Sequence, residues 1–266
     1  MLFVIDIGNT HTVAGIFQEH RILKQWRIKT DPLMTPDELG IYYHNLFTIA
    51  GIALDSIEGV IISNVVPPLE AAYFSCCKTL FNSTKQLEIF SVSSENVSDL
   101  ITVKLDNPAE VGADRLVNGI AAYNRCRGSV IVIDFGTAIT FDCISQDGDY
   151  LGGLILPGLS ISLRALTQQT AKLPSIDISI PPEKVIGTST VSAMKSGVLN
   201  GYGAMIEGLI EKVKKEMDPE GSTAIAVLAT GGMSAIIRPF APSIDRVEPN
   251  LTLEGLLLIY EKLTRH

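Results

Sequence analysis

The chain has 266 residues, of which 46% are hydrophobic and 19% are charged, and its formal net charge is −8. This composition excludes an intrinsically disordered chain, and the acidic balance without a basic face argues against general nucleic-acid binding. No uncharged apolar run reaches 18 residues, so we expect no membrane span.

The cysteines and the N-terminal residues bear on the compartment. No C-x-x-C pair and no Cys–His ligand spacing occurs among Cys76, Cys77, Cys126 and Cys143. This pattern predicts thiols in a reducing cytosol, not a disulfide framework or a zinc site. The first ten residues lack the basic segment of a signal peptide. We therefore expect a cytoplasmic protein.

The first half begins with a predicted hairpin. Leu2–Ile7 has the pattern of a buried strand that ends at Gly8, and His11–Phe17 is its predicted return strand. A capping box at Thr35 and Glu38 predicts the start of a helix, which Gly51 stops. The further elements predicted here are the strand Gly59–Asn64, the helix Pro68–Leu80 and the strand Leu87–Val92.

A second capping signal, from Asn107 to Glu110, predicts a helix that continues through Tyr123. The elements predicted after it are the strands Val130–Phe135, Ile139–Ser145 and Ala224–Thr230 and the helices Thr190–Met217 and Glu254–Arg265. Small residues recur along the long helix, at Gly197, Gly201, Ala204 and Gly208. They permit either tight packing inside the lobe or a contact between subunits.

The chain also repeats itself. The nine residues Val4–Thr12 align with Val132–Thr140 at an offset of 128 residues, and Val, Ile, Asp, Gly and Thr are identical. Two hairpins of one design, each near the start of a half, indicate a duplication.

Each copy places an aspartate at the end of a buried strand, before a glycine turn. Asp6 precedes Gly8, and Asp134 precedes Gly136. Such turns let backbone N–H groups surround a phosphate, and Thr10, Thr12 and Thr137 add hydroxyl donors. Asp6 is the predicted partner of Mg²⁺, through water. Asp134 is predicted either to face the same cleft from the other half or to cap its own turn.

Two further clusters have chemical potential. Asp114 and Arg115 lie near a predicted helix start and point in different directions, so the first can accept a hydroxyl proton while the second holds an anion. A helix-start aspartate with a surface arginine is the plain alternative. Gly231 and Gly232 follow a strand and predict either packing against an adenine ring or a tight turn into a helix.

Together these motifs resemble type III pantothenate kinase, of the actin, sugar-kinase and Hsp70 superfamily. The residues that carry the resemblance are Asp6-Ile7-Gly8-Asn9-Thr10, Gly112-Ala113-Asp114-Arg115, Asp134-Phe135-Gly136-Thr137 and Gly231-Gly232. Their order and spacing fit along nearly the whole chain, with further matches at Ser63-Asn64-Val65-Val66-Pro67, Asn107-Pro108, Pro157-Gly158 and Gly187–Thr190.

The resemblance implies an α/β fold with two duplicated ribonuclease H-like (actin-type ATPase) lobes, 1–115 and 116–266, and a central nucleotide cleft. It implies phosphorylation of pantothenate by ATP, the first step towards coenzyme A, in a homodimer. Charge and composition, as given above, predict that the protein binds no nucleic acid and no membrane. The ATP contacts it implies are Asp6, Ile7, Gly8, Asn9, Thr10, His11, Thr12, Val13 and Thr137.

The resemblance also implies a pantothenate pocket lined by Gly112, Ala113, Asp114, Arg115 and Thr190, with Asp114 as general base. It places a monovalent cation, K⁺ or NH₄⁺, at Asp134, beside the Mg²⁺ expected at Asp6. Leu105 departs from the family, because many relatives carry an aromatic residue there. The pocket wall is therefore expected to differ at this position.

Two other functions compete with this interpretation. One is a phosphotransferase of the same superfamily that acts on a sugar, acetate or polyphosphate, against which the Gly112–Arg115 cluster argues. The other is a nucleotide-binding regulator that acts through partners. A degenerate regulator could lose the base Asp114 freely, so the intact set of Asp6, Asp114 and Asp134 favours the enzyme.

Overall fold

A computed structural model describes residues 1–81 and 87–264. Its contacts divide the chain into two compact units, Met1–Ala121 with Leu251–His266, and Ala122–Asn250. The lobes expected from sequence were 1–115 and 116–266. The structure differs chiefly in the C-terminal segment, which returns to the first unit because its helix packs on strands near the N-terminus.

The bounds of the regular elements are as follows. The strands are β1 Leu2–Ile7, β2 His11–Gln18, β3 Arg21–Lys29, β4 Gly59–Asn64, β5 Glu88–Ser91, β6 Val130–Phe135, β7 Ala138–Ile144, β8 Tyr150–Pro157, β9 Ala226–Thr230 and β10 Arg246–Val247. The α-helices are α1 Pro36–Ala50, α2 Glu70–Leu80, α3 Ala113–Cys126, α4 Leu159–Gln168, α5 Thr190–Met217, α6 Ser234–Ile237 and α7 Leu251–Leu263.

Each unit contains one five-stranded mixed sheet, and the two sheets have the same plan. The strand order is β3-β2-β1-β4-β5 in the first unit and β8-β7-β6-β9-β10 in the second. In both, the first three strands are antiparallel, and the last two continue in parallel. The duplication predicted from the nine-residue repeat is thus confirmed in the topology of the sheets.

The two hairpins differ by one residue. Asp6 pairs with Val13 across the first, whereas Asp134 pairs with Thr140 across the second. The second turn is therefore shorter, and the threonines that align in sequence, Thr12 and Thr140, lie on opposite faces of their sheets. Strand alternation puts Thr140 on the face of its aspartate and Thr12 on the other face.

The core of the first unit lies between its sheet and the helices α1 and α2. Phe3, Ile5 and Ile7 of β1 pack there against Tyr43 and Phe47 of α1. The opposite face of the sheet is covered by α7, which contacts β1, β2 and β4. Since residues alternate along a strand, Val4 and Asp6 face this second side.

Helix boundaries follow the local chemistry. Thr35 and Glu38 form the predicted capping box of α1, and Gly51 ends that helix in a left-handed conformation. The predicted start of α3 at Asn107 was wrong, because Asn107 caps a separate 3₁₀ turn, Pro108–Glu110, and the extended backbone of Val111 interrupts the helix. The predicted last residue of the terminal helix, Arg265, lies outside the described residues.

Candidate active site

The turn after β1 is held from beneath by a pair of threonines. The Gly8 N–H donates to the His11 carbonyl at 3.2 Å, which closes the turn. The Thr30 hydroxyl donates to the Gly8 carbonyl at 2.7 Å and lies 3.0 Å from the Thr12 hydroxyl. Thr12 is buried, so its hydroxyl supports the turn, whereas Asn9 and His11 are exposed.

Asp6 lies at the end of β1 beside Ser63, its register partner on the parallel strand β4. The chain leaving β4 stays close to this edge, because the Val65 N–H donates to the Ile7 carbonyl at 3.1 Å. Val65 also approaches the Gly112 turn, where an added Cβ would lie 3.4 Å from Val65 Cγ1. The end of β1 at Asp6 (the Asp6 edge) and the backbone turn at Gly112 therefore lie close together within the first unit.

Asp114 occupies the first turn of α3 and curls back over Gly112. A Cβ at position 112 would lie 2.6 Å from Asp114 Oδ1, and the same oxygen accepts the Arg115 N–H at 2.8 Å. Burial raises the pKa of the Asp114 carboxyl, while the N–H and the guanidinium of Arg115 partly oppose that rise. The carboxylate is thus a stronger base than an exposed aspartate.

The second unit places Asp134 against a glycine backbone. Gly231 follows β9 with φ of +85°, and a Cβ there would lie 2.7 Å from the backbone N and C of Phe135 and even closer to Asp134 Oδ1. Gly231 is also the tight turn into α6, since its carbonyl accepts both the N–H and the hydroxyl of Ser234. The backbone of Gly231 therefore packs against the Asp134 carboxylate and against the end of β6.

The turn that carries Thr137 is closed by Gly158. The Gly158 N–H donates to the Thr137 carbonyl at 3.1 Å, and a Cβ at Gly158 would lie 2.6 Å from the Gly136 carbonyl oxygen. Thr137 itself is exposed at the tip of the turn. Only a glycine permits this close approach of β8 to the turn.

A buried carboxylate lies on the same face of the second sheet as Asp134. Asp142 is fully buried, and it accepts the Tyr150 hydroxyl at 2.7 Å and the Thr140 hydroxyl at 3.3 Å. Thr140 is the strand partner of Asp134. A polar row therefore runs from Asp134 into the interior, and sequence reasoning did not identify it.

Thr190 is the first residue of α5 and is exposed. The helix start around it is well formed, because Ser189 and Ser192 make a reciprocal capping box. Leu105, at the position of the family departure, is half-buried. Ala113 is buried, while Gly112 and Arg115 are partly exposed.

The described ranges 1–81 and 87–264 hold no group of three or more His, Cys, Asp or Glu side chains that could bind a metal ion. In the same ranges, no helix has the length and apolarity needed to cross a membrane.

Comparison with known proteins gives the family. The type III pantothenate kinase model matches residues 2–212. The chain is 45% identical over 265 residues to the type III pantothenate kinase of Desulfotalea psychrophila, covering 100% of this chain and 99% of the relative. The enzyme of the same name from Geobacter sulfurreducens is 43% identical over 262 residues, covering 98% and 99%.

Solved structures with the same fold are more distant. A ROK family glucokinase from Streptomyces griseus, in complex with glucose and AMPPNP, has a TM-score of 0.53 at 13% identity and covers 100% of this chain and 99% of its own. Acetate kinase from Entamoeba histolytica has a TM-score of 0.53 at 9% identity, covering 100% of both. These likenesses establish the duplicated actin-type fold. The chain belongs to the type III pantothenate kinase family, the kinases that phosphorylate pantothenate with ATP in the first step of coenzyme A biosynthesis.

Proposed function

We propose that Asp114 is the general base of this reaction. Asp114 accepts the proton of the primary hydroxyl of pantothenate. The freed oxygen then forms a bond to the γ-phosphorus of ATP, while the bond from that phosphorus to the β–γ bridging oxygen breaks and ADP leaves. The observation that carries the proposal is the half-buried Asp114 carboxylate in the first turn of α3, next to the Asp6 edge, with its pKa raised by burial.

The phosphates of ATP are bound by the turn after β1 and by Thr137. The proposed contacts are Asp6, Ile7, Gly8, Asn9, Thr10, His11, Thr12, Val13 and Thr137. The side chains of Ile7 and Thr12 are buried, so these two residues are proposed to take part through their backbone. In support, the hydrogen bonds from Thr30 and Gly8 fix the first turn before any ligand arrives. A preorganised turn loses little conformational entropy on binding, which favours tight phosphate contacts.

Two cations complete the proposal. Asp6 would hold Mg²⁺ through water, and Asp134 would hold a monovalent cation, K⁺ or NH₄⁺. The residues present fit these ions, because Mg²⁺ commonly takes one or two carboxylates and fills its shell with water and phosphate. At Asp134, the backbone of Gly231 packs directly against the carboxylate, where no Cβ could be accommodated. When bound there, these cations would supply positive charge to the phosphate oxygens.

Pantothenate is held by Gly112, Ala113, Asp114, Arg115 and Thr190. The guanidinium of Arg115, and N–H groups at the start of α3, suit the polar tail of the substrate because the helix dipole favours anions there. Leu105 replaces the aromatic side chain of many relatives, so the pocket wall at this position lacks the flat apolar surface of an aromatic ring. We expect its consequence in substrate affinity and not in the chemical step.

The enzyme is proposed to act as a homodimer in the cytoplasm. Cβ atoms added at Gly197, Gly201 or Gly208 would meet nothing within 4 Å. The surface of α5 at these glycines is therefore open and carries no side chain. Close packing inside the unit is made instead by Gly203, which lies against Phe240. This arrangement supports a contact between subunits, with a second copy of the chain approaching along that face.

The proposal is tested by pantothenate-dependent ADP formation with Mg-ATP, measured with potassium and then with sodium in its place. Turnover that needs both pantothenate and potassium supports the substrate and the role of Asp134. Turnover independent of potassium would remove the cation from Asp134 and leave the kinase. Release of ADP with a sugar, acetate or polyphosphate, and none with pantothenate, would contradict the substrate assignment.

A further inference from the structure

The Ser63 hydroxyl is buried and unpaired. Ser63 has no exposed surface, and its Oγ has no hydrogen-bond partner. Among the described residues it is the one buried side-chain oxygen or nitrogen in this condition. Buried hydroxyls in folded proteins almost always have a partner, so an unpaired one calls for a reason.

The position of Ser63 supplies that reason. Ser63 is the register partner of Asp6 on the parallel strand. Val60 and Ile62 of the same strand lie in the core formed with α1 and α2, so alternation turns Ser63 to the opposite side, where Asp6 also points. The hydroxyl thus stands next to the carboxylate that we assign to magnesium.

The loop that follows Ser63 is held in place by other groups. The Asn64 side chain accepts the Val66 N–H at 2.8 Å and donates to Glu70 at 2.5 Å. The turn therefore does not depend on the serine hydroxyl. A role for Ser63 in shaping the local backbone has no support in these contacts.

The duplication repeats the pairing. In the second sheet the parallel register partner of Asp134 is Thr230, which is 2% exposed. Each unit therefore places a buried hydroxyl residue beside the aspartate at the end of its first strand. A chance serine in one strand would not predict a hydroxyl at the corresponding place in the other.

We propose that Ser63 is a positioning residue for Asp6. In the nucleotide-bound enzyme its hydroxyl donates a hydrogen bond to the Asp6 carboxylate, directly or through one water. This bond fixes the orientation of the carboxylate towards the hydrated magnesium. The inference rests on the proposed role of Asp6 and adds the group that holds Asp6 in the productive rotamer.

The first measurement is thermal unfolding of the ligand-free protein. Ser63→Ala removes an unpaired hydroxyl, so its Tm should equal or exceed that of the wild type. The matched control is Ser196→Ala, because Ser196 is 3% exposed and its hydroxyl donates to the Val185 carbonyl. That variant should have a lower Tm. A comparable fall in Ser63→Ala would make the hydroxyl structural and overturn the proposal.

The second measurement is the affinity for AMPPNP in the presence of Mg²⁺, by calorimetry and by the ligand-dependent rise in Tm. Ser63→Ala should bind about tenfold more weakly, as expected for loss of a hydrogen bond to a charged group. Ser63→Thr keeps the hydroxyl and should retain most of the affinity, even where the added methyl lowers the Tm. Wild-type affinity in Ser63→Ala would overturn the proposal.

A parallel series with Asp6→Asn separates the two levels of inference. If Asp6→Asn binds Mg-AMPPNP as well as the wild type, the role of Asp6 fails, and that of Ser63 fails with it. If Asp6→Asn binds weakly and Ser63→Ala binds normally, only Ser63 fails. If Ser63 acts through Asp6, the double variant binds no more weakly than Asp6→Asn alone.

Discussion

The Cβ position of Gly231 falls on the carboxylate of Asp134, and the backbone of Gly231 has a φ that residues with a Cβ rarely adopt. Two costs would follow from any larger residue here. One is the left-handed φ of +85°, and the other is the collision with Phe135 and Asp134. A glycine elsewhere in the same unit, Gly221, has φ of +65° and nothing within 4 Å of its Cβ position. Substitutions at Gly221 and Gly231 therefore separate the cost of the left-handed φ from the cost of the collision.

We predict that Gly221→Ala lowers stability by about 1–2 kcal/mol, the cost of left-handed backbone alone. Gly231→Ala should lower it further, because the Asp134 carboxylate or the strand must move. It should also weaken the dependence of activity on potassium if Asp134 holds that ion. Urea unfolding and the potassium titration measure the two effects. Equal stability losses in the two variants would show that the collision is relieved without consequence.

Asp114→Asn separates catalysis from stability. The loss of a general base lowers kcat by about 10²–10⁴-fold. Burial raises the folded-state pKa of Asp114 above its unfolded value, so the wild type loses stability from this group as pH rises from about 4 through the folded-state pKa. The variant lacks that loss, and its Tm at pH 7 should equal or exceed that of the wild type.

The same carboxyl sets the acidic limb of the rate profile. Because the base must be ionised, wild-type kcat should fall as pH drops through the raised pKa, and the midpoint should lie above the ordinary value for an aspartate. A pH titration of kcat at saturating substrates measures it. A near-normal kcat in Asp114→Asn would remove Asp114 from the chemical step.

The buried hydrogen bond from Tyr150 to Asp142 should contribute to stability. Tyr150→Phe leaves one oxygen of a buried carboxylate short of a donor, and we expect a loss of about 1.5–3 kcal/mol. The control is Tyr43→Phe, because Tyr43 is as fully buried but its hydroxyl makes a long 3.5 Å contact with Tyr73. Denaturant unfolding should give a smaller loss for the control; similar losses would contradict the importance of the Asp142 contact.

A bulky residue on the open face of α5 should disrupt the proposed dimer. We predict that Gly201→Arg gives a folded monomer in sedimentation experiments. The matched control is Gly40→Arg, since Gly40 is also a helical glycine with nothing within 4 Å of its Cβ position. Both substitutions replace a residue of poor helix propensity, so neither should unfold its helix. An intact dimer in Gly201→Arg would place the subunit contact elsewhere.

The elements predicted from sequence were those with strong local signals. The strands Leu2–Ile7 and Val130–Phe135 are continuous apolar runs, and the helix Thr190–Met217 was predicted with the bounds that the structure has. The strand Arg21–Lys29 was missed because it is rich in charge and mostly exposed, as edge strands are. Tyr150–Pro157 was missed because two glycines interrupt its pattern.

Site residues also divide into those with a local sequence signal and those without one. Asp6, Asp114 and Asp134 each lie in a motif that can be read along the chain. Ser63 and Asp142 owe their significance to partners on other strands, and strand register cannot be obtained from one sequence. The letters Ser63-Asn64-Val65-Val66-Pro67 offered a signal for Ser63, but only pairing with Asp6 gives it a physical meaning.

The return of α7 to the first unit has a consequence for the order of synthesis. That unit is complete only when Leu251–Leu263 has left the ribosome, since this helix covers one face of its sheet. The intervening Ala122–Asn250 is continuous and can fold earlier. The last strand of that sheet ends at Ser91, 172 residues before Leu263 (263 − 91 = 172). At about 5–20 residues per second, the sheet therefore waits roughly 9–34 s with that face uncovered. During translation the N-terminal unit is thus the last to be completed. Until then, the uncovered face of its sheet is the surface that a chaperone would bind.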